Sequence, residues 1–338
     1  MTLSELLTKR ETDWRALEEQ IAKRSRPLAK REPEDVAKFA SLYRAVCGDL
    51  ALAESYQFPP ATIQYLNNLV GRANKCLYRR RNFSWRGLWE TFFYDAPRWI
   101  VSDPTFWVAM ILFWVPFLVC DYKCRYDVDF AEKVVGSGTL ATMEAMYDRA
   151  LDADPLDRVP AVGWYASHNG GIGFKCFALG AAGCLPGIFL LLSNSVMLGC
   201  VFGYMQSGAI KPETAQHFLE FTAAHGPFEL TAIALSAAAG LRVGFGVIWT
   251  QGYRRVDSIR RAAIQATPTI VAAFALFCAA ASIEALVSPN RLEYLTILFN
   301  VDSATIKSAI QLVASALLVF YFGVLGGGAL VRNRFFVR

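Results

Sequence analysis

Residues 177–205 read FALGAAGCLPGIFLLLSNSVMLGCVFGYM, a run without one charged side chain. A helix rises about 1.5 Å per residue, so roughly 20 apolar residues suffice to cross a hydrocarbon core. This run exceeds that length and is too apolar for a soluble interior. Four other stretches share its character: PTFWVAMILFWVPFLVC (104–120), ELTAIALSAAAGLRVGFGVIW (229–249), TIVAAFALFCAAASIEALV (269–287) and AIQLVASALLVFYFGVLGGG (309–328). The chain therefore reads as an all-α, polytopic membrane protein.

The 338 residues are 54% hydrophobic and carry a formal net charge of +5, unevenly distributed. Residues 1–98 are strongly charged, and most of the remainder is apolar. This predicts a helical cytoplasmic domain over 1–98 and a first transmembrane helix over 99–120. An extracytoplasmic segment follows over 121–170, then a multi-helix membrane core over 171–331 and a cytoplasmic tail over 332–338. The N-terminal MTLSELLTKRETDW has no apolar run of the kind a cleavable signal peptide needs. The basic stretches are not interleaved with aromatics as a nucleic-acid surface would be, so no nucleic-acid partner is expected. Of the eight cysteines, Cys176, Cys184, Cys200 and Cys278 lie in apolar spans, where cysteine acts as a small hydrophobe. Cys120 and Cys124 sit one helical turn apart and read as incidental, not as a zinc pair or disulfide.

Lysine and arginine set the orientation, because cytoplasmic flanks collect them. Arg79, Arg80, Arg81, Arg86 and Arg98 precede the first span. Asp121, Asp127, Asp129, Glu132, Glu144, Asp148, Asp152, Asp154 and Asp157 dominate the segment after it. Arg254, Arg255, Arg260 and Arg261 follow the 229–249 span, and Arg332, Arg334 and Arg338 close the chain. These signs agree only if 172–208 crosses twice, with a break expected at Ser193-Asn194-Ser195; the second arm is short for a full crossing, which leaves a re-entrant hairpin as the alternative. The count is then about six spans with both termini cytoplasmic. Trp85, Trp89, Phe92, Phe93 and Trp99 predict an amphipathic helix on the inner leaflet.

Within the charged domain, Leu3, Leu6, Leu7, Trp14, Leu17 and Ile21 recur at helical spacing. A second helix is predicted from Glu32-Pro33-Glu34-Asp35 to about Glu54, and a third over 61–81 after Pro59-Pro60. No phosphate loop, Cys/His cluster or nucleophile elbow occurs there.

The ionisable groups inside the spans are the best functional clues, since burying charge in lipid costs a few kcal/mol or more. His225 opens HGPFE with Glu229 one turn later, and Glu284 lies near the outer end of the next span. These three are expected at similar depth on consecutive helices. Arg242 and Asn194 are the other polar membrane positions, and Gly226 adjoins the histidine. One reading makes the group helix-start chemistry and interhelical hydrogen-bonding glue. Another makes it an outer-leaflet pocket for a proton, cation or lipid headgroup. A metal site of His217, His225 and Glu229 is the weakest, because HxxxE lacks the HExxH pattern. No catalytic residue, metal or cofactor is expected. Gly183 and Gly187, Gly199 and Gly203, Gly240 and Gly244, and Gly323 and Gly327 are each four apart. That spacing lets helices approach closely and predicts a tight bundle or a homo-oligomer.

Taken together, LYRAVCGDLALAE…YLNNLVGRANKCLYRR, HNGGIGFKCFALGAAGCLPGIFLLLSNSVMLGCVFGYM, HGPFELTAIALSAAAGLRVG and IEALVSP resemble the stage II sporulation protein M family in order. His225, Gly226, Glu229, Gly240 and Arg242 match its most specific element, and Asn194 and Glu284 its other polar membrane positions. The resemblance implies a non-enzymatic integral membrane protein. The family's sporulation members assemble with peptidoglycan-degrading partners during engulfment. Relatives in non-sporulating bacteria occur alongside MoxR-type AAA+ ATPases, and the long N-terminal domain here is similar to theirs. The sequence thus leads to an inner-membrane scaffold with lipid and protein partners, a cytoplasmic ATPase or envelope proteins. The rival is a transporter or lipid-handling protein working through His225, Glu229 and Glu284.

Overall fold

The computed structural model describes residues 3–22, 33–77, 89–149, 158–289 and 292–328, which hold helices and no strand. Two units divide the chain, Met1–Ser84 and Trp85–Arg338.

The first unit is three helices: α1 (Leu3–Ala22), α2 (Pro33–Ser55) and α3 (Pro60–Leu77). Proline opens α2 and α3 at a position whose N–H would have no helical partner anyway. Glu34 and Asp35 add negative charge to the first turn of α2, where the helix dipole favours it. Trp14, Leu17 and Ile21 of α1 pack with Phe39, Val46 and Ala53 of α2 and Leu66, Leu69 and Ala73 of α3. The three- and four-residue spacing that predicted the helices is what aligns these side chains on one face. Asp49 is buried in this core, where it accepts Trp14 Nε1–H at 2.9 Å and pairs with Arg10 Nε at 3.3 Å.

The second unit starts differently from the sequence expectation. A π-helical turn (Thr91–Asp95) leads into α4 (Ala96–Ser102). The chain then breaks at Asp103, whose carboxylate accepts the Thr105 N–H at 3.0 Å and caps α5 (Pro104–Tyr126). The first span thus runs beyond residue 120, and its start is fixed by a cap that hydropathy does not register. Trp85 and Arg86 of the expected interfacial helix lie outside the described residues, as do Arg79–Arg81, residues 150–157 and the C-terminal arginines. Its described part belongs to the membrane unit, with Tyr321 Oη donating to the Phe92 carbonyl at 2.9 Å.

Two short helices follow, α6 (Val128–Val135) and α7 (Ser137–Tyr147), then α8 (Arg158–Gly183) and α9 (Leu185–Met205). Next come α10 (Pro212–Ala223), α11 (Gly226–Ile248), α12 (Arg255–Leu286) and α13 (Glu293–Phe299). The last is α14 (Ser303–Leu318), continued by a π-helical segment to Gly327. Five of these are long and apolar enough to cross a membrane: α5, α9, α11, α12 and Ser303–Gly327. The less apolar α8 lies beside α11 with Gly173 at Ser236, Phe177 at Gly240 and Gly180 at Gly244. The two helices therefore run parallel, and α8 covers the same depth as α11.

The break expected at Ser193-Asn194-Ser195 lies elsewhere, at Cys184. Its φ of 65° turns the chain back on itself, and Pro186 falls in the first turn of α9. The three polar residues stay inside α9 because each side chain finds a backbone carbonyl. Ser193 Oγ donates to the Phe189 carbonyl and Asn194 Nδ2 to the Leu190 carbonyl, both at 2.8 Å, while Ser195 Oγ bonds across to the Phe113 carbonyl. A side chain bonded one turn back gives helix backbone no reason to end.

At the centre is α11, with an unbroken buried run from Leu230 to Leu241 dominated by alanine. Its neighbours turn apolar faces outward instead: Trp107, Ile111, Leu118 and Val119 of α5, Phe189 of α9, Phe274 of α12 and Leu312 and Phe320 near the C-terminus are exposed. Exposed apolar surface this continuous, around a core of small residues, is what lipid as solvent demands.

Glycine contacts hold the bundle. Gly240 and Gly244 of α11 lie against the carbonyls of Phe177 and Gly180 in α8, and Gly199 and Gly203 of α9 against those of Phe117 and Asp121 in α5. Gly187 meets the backbone of Gly180 and Leu179, so the hairpin arms approach closely beside the turn. Gly183 has open space at the turn and packs against nothing, and Gly323 and Gly327 touch almost nothing. In that last segment Gly326 makes the contact, against Val101 and Pro97.

Gly240→Ala and Gly199→Ala should each destabilise the detergent-solubilised protein by about 1–3 kcal/mol through overpacking. Gly163→Ala, where a Cβ meets open space, should leave the thermal unfolding midpoint unchanged or higher.

Candidate functional site

The joint between α10 and α11 positions the histidine. The carbonyl of His225 accepts the N–H groups of Phe228 and Glu229, both at 3.1 Å, so it begins α11. Its imidazole turns away from that helix end and into the bundle, with the residue 4% exposed. Nδ1 lies 2.9 Å from Ser288 Oγ, just past the end of α12. Nε2 faces two carboxylates, Glu229 Oε2 at 3.6 Å and Glu284 Oε1 at 4.0 Å. Glu284 Oε2 accepts Asn169 Nδ2–H from α8 at 2.9 Å. Helices α8, α11 and α12 and the turn after α12 thus converge on one buried point.

An aromatic layer covers it. Phe221 of α10 places its ring 5.5 Å from the imidazole, edge to face, and Tyr147 of α7 packs on Phe218 and Phe221 at 5.2 and 5.8 Å. Burial, reinforced by the Glu284 carboxylate, pushes the Tyr147 phenol well above its ordinary pKa, so it stays protonated. Lys307 of α14 donates to the Ser288 carbonyl at 2.8 Å, one step behind the hydroxyl that holds His225.

The other residues singled out by sequence are not part of this cluster. His217 leaves it, with Nδ1 directed at the Tyr147 carbonyl 3.1 Å away. His168 is exposed and stacked on Trp164. Asn194 serves α9 alone, and Gly226 is the first residue of α11 with no side-chain neighbour within reach. Arg242 lies towards the far end of α11, where Nε is 3.3 Å from Asp103 Oδ2 and Nη2 bonds to Gln265 Oε1. Cys120, Cys124 and Cys200 are buried, free and packed together between α5 and α9.

Sequence reasoning missed Asn169, Ser288, Asp103 and Tyr147. Asn169 sits in HNGG, a motif quoted for its family likeness and not for its amide. Asp103 carried a readable signal, because Asp-Pro-Thr ahead of an apolar run is an N-cap pattern.

A family model described as Stage II sporulation protein M matches residues 106–289. A second, described as a domain of unknown function (DUF8413), matches residues 4–79. No curated protein and no solved structure gives a significant match. The first match contains His225, Glu229, Glu284, Asn169, Ser288 and Arg242, and leaves out Asp103 and Lys307.

The Arg242–Asp103 pair is partly buried, with side chains 27% and 14% exposed. Removing one partner leaves a poorly solvated charge behind, so Arg242→Gln or Asp103→Asn alone should cost about 1–3 kcal/mol. The double variant should lie closer to the parent than the sum of the singles. Thermal unfolding of all four proteins in detergent gives the cycle.

Proposed function

The chain belongs to the stage II sporulation protein M family, and from that premise we propose that it is a non-enzymatic membrane scaffold. One observation carries the reading. The N-terminal helices bury a core of their own and form a unit separate from the membrane bundle. A soluble bundle tethered to a rigid membrane anchor is suited to holding a partner at the membrane surface. The charge pattern supports a cytoplasmic position for that bundle and for both termini, in the inner membrane of a bacterium. Its partner would then be cytoplasmic, of the AAA+ ATPase kind that accompanies relatives with long N-terminal domains. The layer formed by α6, α7 and α10 lies towards the His225 end, and would face envelope proteins.

A second reading rests on the cluster itself. A histidine and two carboxylates converging from two helices, on a buried site in a membrane protein, is the pattern of a polar pocket that handles a cation or headgroup. A transporter or lipid-handling protein would work through such a pocket.

Gentle purification of the tagged full chain from its native membrane, followed by mass spectrometry, separates the two. The scaffold reading expects a near-stoichiometric ATPase, lost when residues 1–84 are deleted, or an envelope protein that stays bound after that deletion. A homo-oligomer carrying lipid alone would overturn it in favour of the second reading. In that case Glu229→Gln should abolish function at normal expression.

A further inference from the structure

Three features of the cluster fit together poorly without a cation. First, Nε2 of His225, on a residue 4% exposed, has the carboxylates at 3.6 and 4.0 Å. A charge-assisted hydrogen bond from an imidazolium would bring them to about 2.7–2.9 Å. Second, the acceptor capacity is too great for the donors. Glu284 takes one N–H from Asn169, and Glu229 has the imidazole as its polar neighbour. Third, the helix termini treat the two acids unequally. Glu229 lies in the first turn of α11, where an anion is stabilised, and Glu284 in the last turn of α12, where the dipole disfavours it.

We propose that His225, Glu229 and Glu284 bind a divalent first-row transition ion, with Zn²⁺ as the fitting example. The three donor atoms lie within 4.8 Å of one another. Donors about 2.0–2.2 Å from a common zinc stand roughly 3.3–3.6 Å apart, and the His225–Glu229 distance already matches. A small rotation of Glu284 brings in the third. The donor set is one nitrogen and two carboxylates. The nitrogen favours zinc or iron over the oxygen-seeking calcium and magnesium. Two carboxylates, a neutral imidazole and a divalent ion sum to zero charge, which suits a buried site.

The surroundings supply the outer support such sites use. Ser288 Oγ holds Nδ1, so a proton kept on that nitrogen leaves the Nε2 lone pair directed at the carboxylates. Asn169 fixes the far oxygen of Glu284. Lys307 donates to the backbone carbonyl of Ser288, the residue whose hydroxyl holds the histidine. The ion would join the start of α11 to the end of α12, independently of any partner the protein recruits. Its presence or absence therefore leaves the scaffold reading untouched.

The test uses the full chain in detergent, carrying a tag without histidine. Metal content is measured by plasma mass spectrometry on protein purified without chelator. The chelator-stripped protein is then titrated with Zn²⁺ and with Co²⁺. Expected are one transition ion per chain, a thermal midpoint raised by Zn²⁺, and visible Co²⁺ absorption bands that zinc displaces. His225→Ala and Glu284→Gln should lose the ion, and Asn169→Ala, which keeps all three donors, should weaken binding by roughly 10- to 100-fold. Wild-type protein that carries no metal and takes up neither Zn²⁺ nor Co²⁺ overturns the proposal, whatever the variants do. Zinc bound equally well by folded His225→Ala overturns it too, because the ion would then sit elsewhere.

Discussion

Backbone contact between α8 and α11 sets the rest of the membrane unit. Gly240 and Gly244 admit the carbonyls of Phe177 and Gly180 where any side chain would hold the helices apart. Lipid tails are as apolar as leucine, so helices gain little from burying leucine against leucine, and close packing with carbonyl contact has to supply the association. That requirement explains the alanine-rich centre of α11 and the large side chains on the outside of α5, α9 and α12. Gly173 of α8 likewise lies against Phe277 of α12, and on this direct contact between α8 and α12 Asn169 reaches Glu284.

The polar groups of the bundle are then sorted to its two ends. At one, Asp103 caps α5 and pairs with Arg242, which also holds Gln265 of α12. At the other, His225, Glu229, Glu284, Asn169 and Ser288 meet beneath the aromatic layer of Tyr147, Phe218 and Phe221. Between them the interior is almost wholly apolar. Each end therefore carries its charge near the polar margin of the bilayer, where the cost of burying it is lowest.

Hydropathy and helical spacing were enough to find the apolar helices and the three N-terminal helices, because both signals are local, but not to set the ends of α5, α8 and α9. The family, too, was legible from its motifs. Other features depended on partners that no local pattern reveals. Ser193, Asn194 and Ser195 look like a break and stay helical because their side chains bond to carbonyls of α9 and α5. Cys184 looks like a span residue and makes the turn. Depth along the helices put His225, Glu229 and Glu284 at one end, but rotation about each axis decides whether side chains meet. Rotation is fixed by the glycine seams, so the contribution of Asn169 and the departure of His217 could not be read in advance.

The glycine seams have a further consequence. Along both parallel pairs, α5 with α9 and α8 with α11, small residues recur at a spacing close to one helical turn, and each meets a carbonyl. Such a surface resembles a rack of equal teeth. Sliding one helix by a turn, about 5.4 Å, would offer it nearly the same fit. The seams give tightness without choosing a position. The choice falls to the unequal groups at the ends that tie these helices to others, Asp103 of α5 to Arg242 of α11 and Asn169 of α8 to Glu284 of α12, each of which meets its partner in one alignment. The costly buried polar residues of this protein are thereby its index marks: they set where repetitive, interchangeable surfaces come to rest.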